Sequence, residues 1–176
     1  KGYDTYLRSV SAYSTLGWFS DPILSSMLRY RDADLAGLVI HEMTHATVWI
    51  PGNVNFNESL ASFVGDAGAL LFLKSRFGPD TQVVQDVLTG SEDIRVFRRF
   101  MKAFAASLDS LYATDLTFKE KVQEREVVFE QAKERFQSLP LKTEAYQNFT
   151  NWKMNNARMV LYRIYNEEVN LFEQVY

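Results

Sequence analysis

Only two histidines occur among the 176 residues, and they stand four apart in His41-Glu42-Met43-Thr44-His45. No other feature constrains the chain as much. The surrounding segment, Asp32 to Ile50 (DADLAGLVIHEMTHATVWI), has the composition of a helix. Positions four apart on a helix share a face, so both imidazoles can be directed at one metal ion. Glu42, one residue on from His41, can reach the other side of such a site and take a proton from a water held there. A buried helix that carries two histidines for packing is the plain alternative. It gives no reason for an acid and both histidines to stand at the spacing the chemistry needs.

The length suffices for one domain with a sizeable core. Apolar residues make up 47% of the chain and aromatics 14%, which marks it as globular. The net charge is −3 and no basic stripe is present, so nucleic acid is not an expected partner. Cysteine is absent, which excludes disulfides and thiolate ligands and leaves the redox compartment open. The longest apolar run, Leu60 to Leu73, is interrupted by Asp66 and is too short to span a bilayer. The chain begins Lys1-Gly2-Tyr3 without a starting Met, and it reads as a piece of a longer protein.

The first stretch, Tyr3 to Phe19, is rich in Tyr, Thr, Val and Ser and predicts one or two strands, the clearer at Tyr13 to Phe19. Asp21-Pro22 stops it. That strand is either an ordinary edge strand or one that pairs with an extended peptide. A helix is expected from Asp32 to Trp49, ended by Pro51-Gly52. A second runs from Phe56 to Phe77, with Ala61, Gly65, Gly68 and Ala69 as a small-residue face that permits close approach to the first. Asp80 to Leu88 suggests a short helix, and Ser91 the N-cap of a longer one with Glu92 and Asp93 in its first turn. Ile94, Phe97, Met101, Phe104, Leu108 and Leu111 form one apolar stripe. Phe118, Val122, Arg125, Phe129, Ala132 and Phe136 form a facing one after a Thr117-Glu120 capping box. These two helices should make a long antiparallel hairpin with a charged, solvated outer face. A last helix is expected from Asn151 to Phe172. The fold class is therefore mainly α (α+β), a single domain over 1–176 with a small N-terminal β element.

A catalytic zinc typically keeps three protein ligands and a water. With no further His and no Cys, the third ligand must be an oxygen donor. Glu58, in Asn57-Glu58-Ser59-Leu60-Ala61 near the start of the second helix, is the leading candidate. Its competing role is structural, as the acid of an Asn55-to-Glu58 capping box. Asp66, two turns on, is either an outer-shell partner that orients a ligating His or an exposed helix acid. Ser62 is a weaker candidate for the orienting task. An oxyanion formed in amide hydrolysis also calls for a side-chain donor, and Tyr can supply it. The chain has nine tyrosines, among which spacing does not choose.

HEMTH followed by NESLA on a second helix resembles the glutamate-ligand zinc peptidases (zincins of the gluzincin type). The longer pattern AYSTLGWFSDPILSSML, IHEMTHATVWI, FNESLASFVG and NNARMVLYRIY is similar to the predicted aminopeptidase family of Gram-negative bacteria. The resemblance runs over essentially the whole chain and is densest from Ala12 to Gly65. It implies a zincin-like peptidase domain that forms the C-terminal part of a longer, lipoprotein-like protein of the periplasm or cell envelope, with a lipid anchor upstream. It also implies that Leu16, Gly17 and Trp18 lie on a substrate-side strand. The helix bearing Asn155, Asn156, Tyr162 and Tyr165 would lie near the active site, with either tyrosine as the oxyanion donor.

The expectation is a zinc metallopeptidase, an aminopeptidase, with one zinc per chain held by His41, His45 and Glu58, with Glu42 as general base and a peptide as substrate. The rival is a zinc-containing scaffold protein of the cell envelope whose helical hairpin docks a partner. The intact Glu42 argues against it, because a structural metal site needs no base.

Overall fold

The computed structural model describes residues 2–8, 24–166 and 168–175. Six α-helices account for most of them: α1 Asp32–Thr47, α2 Val54–Phe77, α3 Gln82–Tyr112, α4 Phe118–Phe136, α5 Asn156–Asn166 and α6 Val169–Val175. Short 3-10 helices occur at Met27–Arg29 and Gln147–Asn151. The mainly helical expectation holds, and among the described residues there is no strand. The strand expected at Tyr13 to Phe19, with Leu16, Gly17 and Trp18, lies outside the described residues. No helix among the described residues is long and apolar enough to cross a membrane.

The chain forms two compact units, one of residues 1–88 and 156–176, the other of 89–155. In the first, α1 packs on α2, and α2 in turn packs on α5 and α6. The small-residue face does what its composition implied. Ala61, Gly65 and Ala69 are buried on α2. The two backbones come so close that a Cβ added at Gly65 would lie 2.8 Å from the Gly37 carbonyl oxygen and 3.3 Å from His41 Cβ. Glycine is needed there to let the histidine-bearing helix settle. Phe172 of α6 packs its ring on Phe56 and Phe63 of α2.

The turn between α1 and α2 is fixed by its own chemistry. Pro51 and Gly52 form its centre, Gly52 has φ 79°, and the Asn53 N–H donates to the Ile50 carbonyl. A positive φ at the third position of such a turn favours glycine. The N-cap of α2 is Asn53, whose side chain accepts from the Phe56 N–H. The capping box expected from Asn55 to Glu58 is therefore displaced. Asn55 already lies inside the helix, and Glu58 is two residues too far along to reach back to the cap.

In the second unit, Phe97 and Phe100 meet Phe136, and Phe104 meets Phe129. Ascending positions on α3 meet descending ones on α4, so the hairpin is antiparallel as expected. The Thr117–Glu120 capping box is formed. Lys121 Nζ donates to the Tyr112 carbonyl and satisfies one of the last acceptors of α3. Phe149 adds its ring to Phe97, Phe100 and Phe136.

Other expectations fail. The break at Leu88 and the N-cap at Ser91 are absent, because α3 runs unbroken from Gln82 to Tyr112. Asp93 is not a first-turn acid. It is buried and accepts from the Lys142 N–H, the Thr143 N–H and the Thr143 hydroxyl. Burial pushes its carboxyl up, and these bonds outweigh burial and leave it lowered. The last helix is also not continuous: α5 stops at Asn166 and α6 begins at Val169. Between them the Glu168 N–H donates to Ser59 Oγ of α2, a tertiary bond in place of a helical one.

Candidate metal centre

His41 and His45 lie one turn apart on α1, and Glu58 lies in the second turn of α2. Glu58 Oε2 is 3.5 Å from His41 Nε2 and 3.5 Å from His45 Nε2. The two Nε2 atoms are 3.2 Å apart. Three ligand atoms thus converge within 4.8 Å, a cluster that could hold a metal ion. The three side chains are largely buried, with exposures of 17%, 7% and 15%.

The fit to a cation rests on the donor set and on one orphaned atom. Glu58 Oε2 is buried without a hydrogen-bond partner among the described residues, and it faces two imidazole nitrogens. Burying a carboxylate oxygen without a partner is unfavourable. The two neighbouring imidazoles offset that cost in the apo protein, and a cation held between oxygen and nitrogens offsets it further. Burial pushes the Glu58 carboxyl up, but the two histidines beside it outweigh burial and hold it at about 2. It is ionised at neutral pH, as a metal ligand must be.

Asn57 places Glu58. Its side chain is buried, accepts from the Ile50 N–H at 2.9 Å and donates to the Ile50 carbonyl at 2.8 Å. These paired bonds lock the start of α2 to the turn that follows α1, and the next residue is directed at the histidines. Ser59, also buried, ties the same turn to the head of α6. Sequence reasoning gave Asn57 and Ser59 no role. The signal was present: an amide and a hydroxyl flank the only carboxylate at the start of that helix, beside a tight turn.

The other candidates separate. Glu42 is half-buried on α1. Tyr165 of α5 stacks its ring on that of His41, with centroids 6.5 Å apart and planes at 26°. Tyr162 is half-buried on the same helix. Trp49, not foreseen, packs edge-on against His45 at 5.5 Å. Ser62 is half-buried one turn after Glu58, whereas Asp66 is exposed. With Nε2 of His45 turned to the shared point, the proton of the neutral ring belongs on Nδ1. That nitrogen is buried and has no hydrogen-bond partner among the described residues, so Asp66 does not orient this ring. Asn156 opens α5, where its N–H donates to Asp4 Oδ2. Asn155 is the last residue of the second unit.

The close approach of α1 and α2 gives a direct test of how the site is held. Gly65→Ala should gain about 1 kcal/mol of helix propensity. It should lose more, about 1–3 kcal/mol, to overpacking against the Gly37 backbone. Zinc affinity should fall with stability, since His41 Cβ is also in the way. Gly68→Ala meets only the Ile40 side chain, nearest at its terminal Cδ1, and should cost less. Thermal unfolding and zinc titration of both variants check this, and an equal or smaller loss in Gly65→Ala would contradict it.

Among known proteins, the isoleucine–tRNA ligase of Mycoplasma mobile is 25% identical over 154 residues, which is 84% of this chain and 17% of the ligase. The chain thus spans about a sixth of that relative's length. No solved structure matches it. The family described as "Putative aminopeptidase" matches residues 1–176, and the chain belongs to that family.

Proposed function

We propose that the chain is a zinc-dependent peptidase that removes residues from the amino terminus of peptides. The observation that carries this reading is the convergence of His41 Nε2, His45 Nε2 and Glu58 Oε2 on one point, beside a glutamate that the metal does not need. Two imidazoles and one carboxylate are a zinc-type donor set that leaves a position open, and the family name points to the same chemistry.

Zinc, when bound, would polarise the peptide carbonyl and acidify a water. The remaining work falls to the chain's own side chains. His41, His45 and Glu58 hold the ion in a site that is mostly closed to solvent. Glu42 takes a proton from the attacking water and delivers it to the departing amine nitrogen. Tyr165 donates its hydroxyl hydrogen to the oxygen that gains charge, a role favoured over Tyr162 by its stacking on His41. We also propose a cell-envelope location with a lipid anchor upstream of Lys1, which membrane fractionation of the full-length protein tests.

Zinc-loaded protein should carry one zinc per chain and hydrolyse aminoacyl anilides. A chelator should abolish the reaction and added zinc restore it. His41→Ala and His45→Ala should each lose most of the metal. Full zinc occupancy in either variant would overturn the ligand assignment. A loaded wild type that hydrolyses nothing would favour a scaffold role.

A further inference from the structure

The residues ahead of α1 contribute a group that the metal centre itself does not explain. Residues 4–8 follow α5 with alternate side chains turned toward it. Asp4 Oδ2 accepts from the Asn156 N–H at 3.0 Å, at the first turn of the helix. Tyr6 lies under the Arg158 guanidinium, 5.0 Å from Cζ to the ring centroid. Arg8 places its Cζ 5.2 Å over the Tyr165 ring and donates from Nη2 to the Tyr165 hydroxyl at 3.1 Å. Tyr3, Thr5 and Leu7 are exposed while Asp4 and Tyr6 are half-buried, the alternation of an extended segment, and Arg8 at its end is itself exposed with its head on Tyr165. The spacings also agree: four residues of extended chain and nine of helix both rise about 13 Å. Asp4 and Tyr6 therefore fix the register that carries Arg8 to Tyr165, whose ring stacks on His41.

We propose that Arg8 is a positioning residue for the reaction: it holds the Tyr165 hydroxyl by a stacked, charge-assisted hydrogen bond so that the hydroxyl hydrogen is directed at the substrate. This rests on the peptidase reading above and goes beyond it. A phenol oxygen that accepts from a guanidinium keeps its own hydrogen for another acceptor. The guanidinium cannot act as that acceptor, because it has none. The guanidinium also lies over the ring, 5.2 Å from its centroid, a second contact with the same side chain. The strap at residues 4–8 is thereby part of the working site and not a loose leader to it.

The test is a double-mutant cycle on zinc-loaded protein with Arg8→Ala, Tyr165→Phe and the pair. Zinc affinity, by titration, should match wild type in all three. Arg8→Ala should lower kcat about tenfold to a hundredfold with KM within about twofold, below the full loss of an oxyanion donor. Tyr165→Phe should lower kcat at least as much, and adding Arg8→Ala to it should change nothing further. Arg8→Lys keeps a donor without the planar stack and should recover part of the loss. The same cycle, read on the affinity of an α-aminoalkyl phosphonate by calorimetry, needs no turnover. An inactive wild type would therefore refute the peptidase reading while the Arg8–Tyr165 coupling is still decided. Additive effects in the phosphonate cycle, wild-type kcat in Arg8→Ala, or loss of zinc in Arg8→Ala would each overturn the proposal.

Discussion

Glu58→Gln should strip the protein of most of its metal affinity while leaving it folded. The substitution keeps the size of the side chain and removes the charge. A lost outer-shell partner costs a metal site about 10–100-fold in affinity, and a lost ligand should exceed that. The competing account of Glu58, as a helix-capping acid, predicts almost no change in zinc affinity. That account already fails on position, because the cap is Asn53 and its side chain bonds the Phe56 N–H. The apo form should also lose some stability. The Glu58 carboxyl is held at about 2, below its ordinary value, so the folded state favours its ionised form. A depressed carboxyl contributes stability that is present above its unfolded pKa and lost as pH falls through the folded one. The difference between wild-type and Glu58→Gln apo protein should therefore be present near neutral pH. It should shrink as pH drops below about 4.3 toward 2. Unchanged zinc affinity in the variant would remove Glu58 from the site.

Glu42→Gln should do the reverse: keep the zinc and lose the reaction. The residue contributes no atom to the converging set, so zinc affinity should stay within about twofold of wild type. Removing a general base typically costs about 10²–10⁴ in rate, and Gln cannot take a proton. A fall in kcat/KM of about a thousandfold with full occupancy is expected. Zinc occupancy measured beside anilide hydrolysis reads both halves at once, and activity near wild type would sink the role given to Glu42.

The part of the site that lies on one helix was legible from spacing, because helical geometry turns four residues into one face. Glu58 was legible by elimination, since the chain holds no third histidine and no cysteine. What escaped was carried by tertiary bonds. Ser91 looks like an N-cap because Glu92 and Asp93 follow it, but Asp93 is engaged by Lys142 and Thr143, far along the chain, and the helix runs through. Asn53 and Asn55 are equally good caps on paper. The turn at Pro51-Gly52 and the Asn57 bonds to Ile50 decide between them. Spacing does not choose among nine tyrosines, and the resemblance narrows the choice only to Tyr162 and Tyr165, because the stacking of Tyr165 on His41 depends on how α5 packs in the fold. At the break between α5 and α6, the Glu168 N–H is bonded to a serine more than a hundred residues away.

The central claim is that His41, His45 and Glu58 form an open metal centre that works on peptides with Glu42. A digest of a defined peptide library by the zinc-loaded full-length protein, read by mass spectrometry, tests it most directly. The account predicts products shortened by single residues from the amino terminus, absent when the metal is chelated. Peptides left intact by fully loaded protein would contradict it.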